Sequence, residues 1–235
     1  MLKHKYQVVS EKIESKIISN IYKDKLPTEN QLIKEYKVSR NTIRKAIEIL
    51  IFKGIIIPIQ GSGWFIRNVS VDGAINLESF RGLTQDFKNS KIVSRVIEFK
   101  EMLADEKLSE LMDCEVNTPL YFVKRSRILD GIDWVIEYSY FNRNYITYLN
   151  KEIVQGSIYK YIEKGLQKQI GYVSRVIKVE LLSEEDARLL KLNAGDPALL
   201  SINKSMLKTG EVFDYSIDVH HYQHTKFLKL SNYSY

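Results

Sequence analysis

A single cysteine, Cys114, stands among 235 residues, so no disulfide can form within the chain and a disulfide-stapled scaffold is excluded. It follows Leu111-Met112-Asp113 at an expected apolar helix end and reads as packing rather than as a nucleophile. Apolar runs such as Ile49–Phe52 fall far short of the ~20 residues a membrane span requires. No N-terminal stretch resembles a signal peptide, so the expected location is the cytoplasm, with no membrane partner. Internal repeats and low-complexity segments are also lacking. His220-His221-x-x-His224 has no cysteine or carboxylate constellation beside it, so no metal site and no cofactor are expected.

What is present is ordinary globular material, 44% hydrophobic and 27% charged, in a chain long enough for one large or two ordinary domains. The net charge of +6 is unevenly placed. Residues 1–68 hold 13 Lys+Arg against 6 Asp+Glu, and residues 69–235 hold 22 against 23. The basic excess therefore lies wholly in the first segment, which points to a polyanionic partner there.

Residues 26–63 carry the strongest local signals. Thr28 with Gln31 fits a capping box behind Pro27, and opens a helix to about Tyr36. Ser39 is the next N-cap candidate. Ile43, Ala46, Ile47, Leu50 and Ile51 then recur at helical spacing to Phe52, with Arg40, Asn41, Arg44 and Lys45 mostly off that stripe. Gly54 ends the helix. Ile55-Ile56-Ile57 starts a strand, Gly61-Ser62-Gly63 turns it, and Trp64–Arg67 returns it. An upstream helix, about Tyr6 to Ile21, offers Val9, Ile13, Ile17 and Ile21 as one core face. Two capped helices and a glycine wing in a basic segment form a winged helix-turn-helix. Its second helix would enter a major groove, with Arg44 or Arg40 at a guanine edge and Asn41 at an adenine or a phosphate. Thr42, Gly61 and Gly63 would approach the sugar-phosphate backbone, and Thr28, Ser39 and Lys45 complete the expected DNA-binding set. A small domain with a solvated basic face is the bland alternative. Agreement of the caps, the short turn and the wing favours DNA.

After a linker at 69–78, residues 79–235 read as an α+β domain on an antiparallel sheet. Thr84 is expected to cap a short helix to Phe87. Strands are predicted at Ile92–Met102, Leu120–Ile128, Trp134–Phe141, Tyr172–Leu182, Ala198–Leu207 and Val212–His221, with helices at Asp105–Met112, Ser157–Glu163 and from Ser183. Asp130-Gly131 and Thr209-Gly210 mark hairpins. Arg125 and Arg127 share one strand face. With the helix starts at Ser157 and Thr84 they would form a phosphate cradle, to which Tyr159 adds a hydroxyl or a ring. From the residues alone, a solvated face paired with carboxylates such as Glu137 is an equal reading. A two-residue Asp130-Gly131 turn sets Glu137 on the face opposite Arg125; a three-residue loop starting at Leu129 sets them together. A sugar-hydroxyl role for Glu137 therefore needs the longer loop. On the last strand Asp214, Ser216, Asp218 and His220 share one face, and Phe213, Tyr215, Ile217 and Val219 share the core face.

Leu26-Pro27-Thr28-Glu29, Val38–Ala46 and Gly61–Ile66 resemble the N-terminal domain of GntR-type bacterial regulators, with Trp64 a departure at the wing. Arg81-Gly82-Leu83-Thr84, Lys124–Arg127, Ile136-Glu137, Ser157-Ile158-Tyr159 and Phe213-Asp214-Tyr215 resemble the UTRA-type effector domain of one branch. The resemblance implies a homodimeric repressor of a sugar uptake or utilisation operon, bound to palindromic double-stranded operator DNA and controlled by a phosphorylated sugar. It implies an effector site at Leu83, Thr84, Arg125, Arg127, Glu137, Ser157, Tyr159, Asp214 and His220. Two other functions compete. A chorismate-lyase-like enzyme would share the fold, but no nucleophile–base pair stands at recognisable spacing, and no enzyme is expected. A non-specific nucleic-acid binder would need more charge than the first segment holds.

Overall fold

The computed structural model describes residues 4–67, 73–77, 83–87 and 90–229, with only the backbone of Gln85 and Asp86. It divides into two compact units, residues 1–79 with 227–235, and residues 80–226. Asn68, the linker residues Ser70 and Asp72, and the motif residues Arg81 and Gly82 lie outside the described part.

In the first unit, α1 (Lys5–Ile18), α2 (Glu29–Tyr36) and α3 (Arg40–Phe52) precede a hairpin of β1 (Ile56–Ile59) and β2 (Gly63–Ile66). Thr28 and Gln31 close the expected capping box on α2, and Ser39 caps α3 through the Thr42 N–H at 3.3 Å. Lys37 turns between them with φ +51. Ile13, Leu32, Ile43, Leu50 and Ile56 are fully buried in one cluster, each stabilising the unit by ~1.5–3 kcal/mol. The expectation for Ile21 fails. Ser19 caps α1, Asn20 takes φ +59, and Ile21 is left exposed. Three helical residues lost to that cap rotate it off the core stripe. Ala74–Asn76, inside the stretch read as a linker, forms β3, which pairs with β10 (Lys226–Leu228) from the end of the chain.

The second unit is a six-stranded antiparallel sheet in the order β4-β5-β6-β9-β8-β7. The strands are β4 (Ile92–Leu103), β5 (Pro119–Leu129), β6 (Ile132–Asn142), β7 (Ile170–Leu181), β8 (Pro197–Leu207) and β9 (Val212–His221). Helices cover both faces. On one, α5 (Glu106–Leu111) and α8 (Glu184–Leu190) pack over Leu120, Ile136, Leu200 and Tyr215. On the other, α6 (Lys151–Gln155) and α7 (Ile158–Lys164) pack over Tyr121, Val123 and Phe141. The helix α6, capped by Asn150, has no counterpart in the sequence expectations.

Two irregularities set which side chains share a face. The β5–β6 turn is the two-residue one: Asp130 and Gly131 both have positive φ, and Leu129 pairs with Ile132. By the sequence argument this should separate Glu137 from Arg125. It does not, because Ile128 pairs with Asp133 and Arg127 with Val135, leaving Trp134 as a bulge that restores Arg125 opposite Glu137. A second bulge at Phe213 separates the Ser205–Asp214 and Met206–Val212 pairs. Phe213 consequently packs with Tyr121 and Phe141, away from Tyr215 and Val219. The single core face expected for β9 is therefore wrong in that residue. The polar face is also no solvent face, since Asp214 and His220 are each 1% exposed.

Gly63 has φ +104, and a Cβ there would lie 3.2 Å from the Lys25 side chain. Gly63→Ala should destabilise the first unit by ~1–3 kcal/mol, read by urea unfolding. Unchanged stability would show that the wing tolerates an L side chain.

Candidate functional site

The N-terminal turn of α3 presents Arg40, Asn41, Arg44 and Lys45 to solvent, with Thr42 half-buried. Arg40 and Arg44 converge on one carboxylate, Glu29 at the start of α2, at 3.0 and 3.2 Å. Arg40 also donates to Asn30 Oδ1 at 3.3 Å. Sequence reading missed Glu29; its signal was its place in the first turn of the helix packed before α3. Exposed pairs of this kind are worth ~0–1 kcal/mol, so a phosphate or base edge can replace them. Gly61 and Gly63 hold the tip of the wing with positive φ. Trp64, the departure at the wing, turns inward onto the core of the unit. Thr28 and Ser39 spend their hydroxyls on the caps.

In the second unit, the cross-strand register lays a polar floor on the face beneath α6 and α7. Arg125, Glu137, Asp218 and Ser201 stand side by side on β5, β6, β9 and β8. The neighbouring row holds Ser139, Ser216, Asn203 and Arg175. Four of the sequence-chosen residues meet here. Arg125 donates through Nε to Glu137, and through Nη1 to the carbonyls of Val154 and Gly156 at 2.6 and 3.0 Å. Arg127 Nη1 lies 3.7 Å from Glu137, and its Nη2 donates to Thr84 Oγ1 at 3.0 Å. The arginines are 6% and 4% exposed, so the solvated-face reading is overturned while its Glu137 pairing holds.

The helix-start part of the cradle changes. Thr84 does not cap α4 (Leu83–Asp86); Leu83 is the first helical residue and Thr84 lies within the turn, where its hydroxyl reaches Arg127. Ser157 does cap α7, accepting from the Lys160 N–H at 3.4 Å. Arg125, however, meets the carbonyls that end α6 instead of the free N–H groups of α7. Tyr159 is not open either: its hydroxyl donates to Asp214 Oδ2 at 2.7 Å and its ring stands edge-on to Phe213. Trp134, projected onto this face by its bulge, lies edge-on to Phe87 and to His220.

Burial alone would raise Glu137, but Arg125 and Arg127 outweigh it and hold the carboxyl below its usual range. Asp214 has no such partner. Burial pushes it up to about 7 against the donors Tyr159 and Ser205, and its Oδ1 meets no partner among the described residues. Burial, with Glu137 opposite, pushes Asp218 to about 7 as well. Burial and then the Arg175 charge lower His220 to about 3, so its ring is neutral near pH 7. Arg127 Nε is a buried donor with no partner among the described residues. The floor thus offers an unmet donor at one end and an unmet acceptor at the other, the pattern of a site that receives a polar ligand.

A model described as "Bacterial regulatory proteins, gntR family" matches residues 5–66, and one described as "UTRA domain" matches residues 88–226. The HTH-type transcriptional regulator YydK of Bacillus subtilis is 35% identical over 97% of this chain and 98% of its own. Its crystal structure superposes with a TM-score of 0.83 over 98% of this chain and 100% of that one. GmuR of Bacillus subtilis, also an HTH-type transcriptional regulator, is 30% identical over 97% and 98%. The mannosyl-D-glycerate transport/metabolism system repressor MngR of Escherichia coli is 28% identical over 90% and 89%.

A carboxyl raised from 3.8 to about 7 holds a proton in the folded state that the unfolded chain has released. Its contribution is therefore fully favourable below about pH 4 and is lost as pH rises to about 7. Asp214→Asn, neutral throughout, should raise Tm more at pH 8 than at pH 5. Equal differences at the two pH values would show that Asp214 titrates normally.

Proposed function

This chain is a GntR-family bacterial regulatory protein with a C-terminal UTRA domain, a DNA-binding transcription regulator, and from that premise we propose that it represses a sugar uptake or utilisation operon until a phosphorylated sugar binds the second unit. The observation that carries the effector class is Arg127, a buried guanidinium whose Nε has no partner among the described residues. A fixed planar fork of donors suits a phosphate oxygen. Glu137, Asp214 and the serine hydroxyls around them suit sugar hydroxyls. The relative MngR, named as a repressor of a sugar-derivative transport system, supports the same class. Ser201 Oγ lies 2.9 Å from His220 Nε2, but burial and the Arg175 charge lower that imidazole to about 3, which makes it a poor general base for the enzyme alternative.

On the DNA side, the N-terminal turn of α3 enters a major groove. Arg40 and Arg44 exchange Glu29 for base edges and phosphates, and Asn41, Thr42 and Lys45 lie beside them. Two copies would then read half-sites ~34–36 Å apart. The second copy pairs along β7. This strand is an outer edge of the sheet, with Tyr172, Val176, Val179 and Leu181 all more than half exposed. Long edges of this kind call for a partner strand. Antiparallel pairing centred on Val179 sets each Lys178 opposite a Glu180 on one face. On the other it aligns Ile177, Val179 and Leu181 with their copies.

Two measurements test these readings. Glucose 6-phosphate and related sugar phosphates should raise Tm and release operator DNA, and Arg127→Gln should abolish both while leaving operator binding intact. Silence from every sugar phosphate, in a protein that binds operator, would sink the effector class. Val179→Lys should shift the dimer to monomer by at least tenfold in concentration on sedimentation. A dimer indifferent to the substitution would place the interface elsewhere.

A further inference from the structure

The floor of the second unit contains a carboxylate that neither the cradle nor the resemblance uses. Asp218 stands on β9 directly opposite Glu137 on β6. Its neighbours on the same face, Asp214 and His220, are each 1% exposed, whereas Asp218 is only half-buried. Two like charges opposite each other on a sheet repel. Arg125 and Arg127 settle Glu137 but make no bond to Asp218. Asp218 is held from the other side instead. Its Oδ2 accepts from Ser201 Oγ at 3.1 Å and from Asn203 Nδ2 at 2.9 Å. Asn203 in turn accepts from Arg175 Nε at 2.6 Å, which fixes which way its amide faces. Three strands, β7, β8 and β9, therefore contribute to the orientation of one carboxylate.

A carboxylate has about four lone-pair sites, and two donors occupy part of that capacity. A sugar ring presents adjacent hydroxyls, each able to donate. From Arg127 to Asp218 the backbone separation is two strand spacings and one two-residue step, roughly 12 Å. Both residues lie on one face of the sheet, so a ligand that meets both must span a distance of that order.

We propose that Asp218 is the specificity-determining residue of the effector site, accepting adjacent ring hydroxyls of a hexose phosphate whose phosphate is held at Arg127. The assignment rests on the reading of the site as a sugar-phosphate site. Ser201, Asn203 and Arg175 are its positioning residues. Burial and the facing Glu137 raise the Asp218 carboxyl despite its two donors, and further donors from a ligand would offset that rise. Inorganic phosphate, which has no ring, engages Arg127 and leaves Asp218 untouched.

Calorimetric titration of the full chain with glucose 6-phosphate, mannose 6-phosphate, fructose 6-phosphate and inorganic phosphate tests this. Asp218→Asn should weaken the best hexose phosphate at least tenfold and change inorganic phosphate less than twofold. Asn203→Ala, which loosens Asp218 without removing it, should weaken the same hexose phosphate by a smaller factor. If Asp218→Asn melts without a cooperative transition, the Asn203→Ala pattern decides alone. Equal losses for hexose phosphate and inorganic phosphate, or no loss for either, would overturn the role of Asp218 and leave the sugar-phosphate reading standing. A wild-type chain that binds no hexose phosphate would instead overturn that reading and the assignment with it.

Discussion

The polar floor of the second unit depends on one buried ion pair, Glu137 with Arg125, and on the bulge that permits it. Removing one partner of such a pair costs ~3–5 kcal/mol, because the other charge is left stranded. The β5–β6 turn by itself would have put the carboxylate on the far face, against α8. Trp134 shifts the register by one residue, and every later residue of β6 changes face. Glu137 then meets Arg125, Ser139 joins the polar floor, and Ile136 faces the apolar cluster. Arg125 carries the constraint further. By donating to the carbonyls of Val154 and Gly156, it satisfies the end of α6 and fixes where α7 starts. The position of Ser157 and Tyr159 follows from a guanidinium two strands away.

The same pair leaves the rest of the floor unbalanced. Glu137 takes both arginines of β5, so Asp214 and Asp218 have hydroxyl and amide donors but no guanidinium of their own from that strand. Their raised carboxyls express the imbalance. A protein selected only for stability would fill such a face with apolar side chains, since buried polar groups cost free energy wherever their bonds are incomplete. The structure retains Arg127 Nε and Asp214 Oδ1 without partners among the described residues.

Legibility in the sequence tracked the range of the interaction. The winged helix-turn-helix was readable almost residue by residue, because caps, glycine turns and a helical stripe are local signals. The exceptions were the end of α1, where Asn20 adopts a left-handed conformation, and Glu29, which acts across two helices. The sheet strands were readable from alternation, and the Arg125–Arg127 face followed from spacing. The bulges at Trp134 and Phe213 were not, because a bulge is decided by packing on both faces and leaves no composition signal. That is why the loop-length argument tied the face of Glu137 to the wrong feature: the turn has two residues, and the bulge sets Glu137 beside Arg125. Asp218 was placed on the correct face but passed over, since its distinction comes from Ser201, Asn203 and Arg175 on other strands. Pairing of β3 with β10 joins residues some 150 apart in sequence, and no local pattern announces it.

The two binding surfaces differ in how their charges are kept, and the difference bears on control. On α3 the guanidiniums are exposed and pair weakly with Glu29, so they exchange partners at little cost. In the second unit the guanidiniums are buried, and each bond they make fixes another element. Arg127 reaches Thr84 in α4, the first described helix after the stretch that leads out of the first unit. An anion at Arg127 competes for that guanidinium or tightens it. One such bond is worth ~0.5–1.5 kcal/mol, more where a charge is involved, and allosteric couplings typically amount to ~1–3 kcal/mol. The bond between Arg127 and Thr84 is thus of the same order as such a coupling.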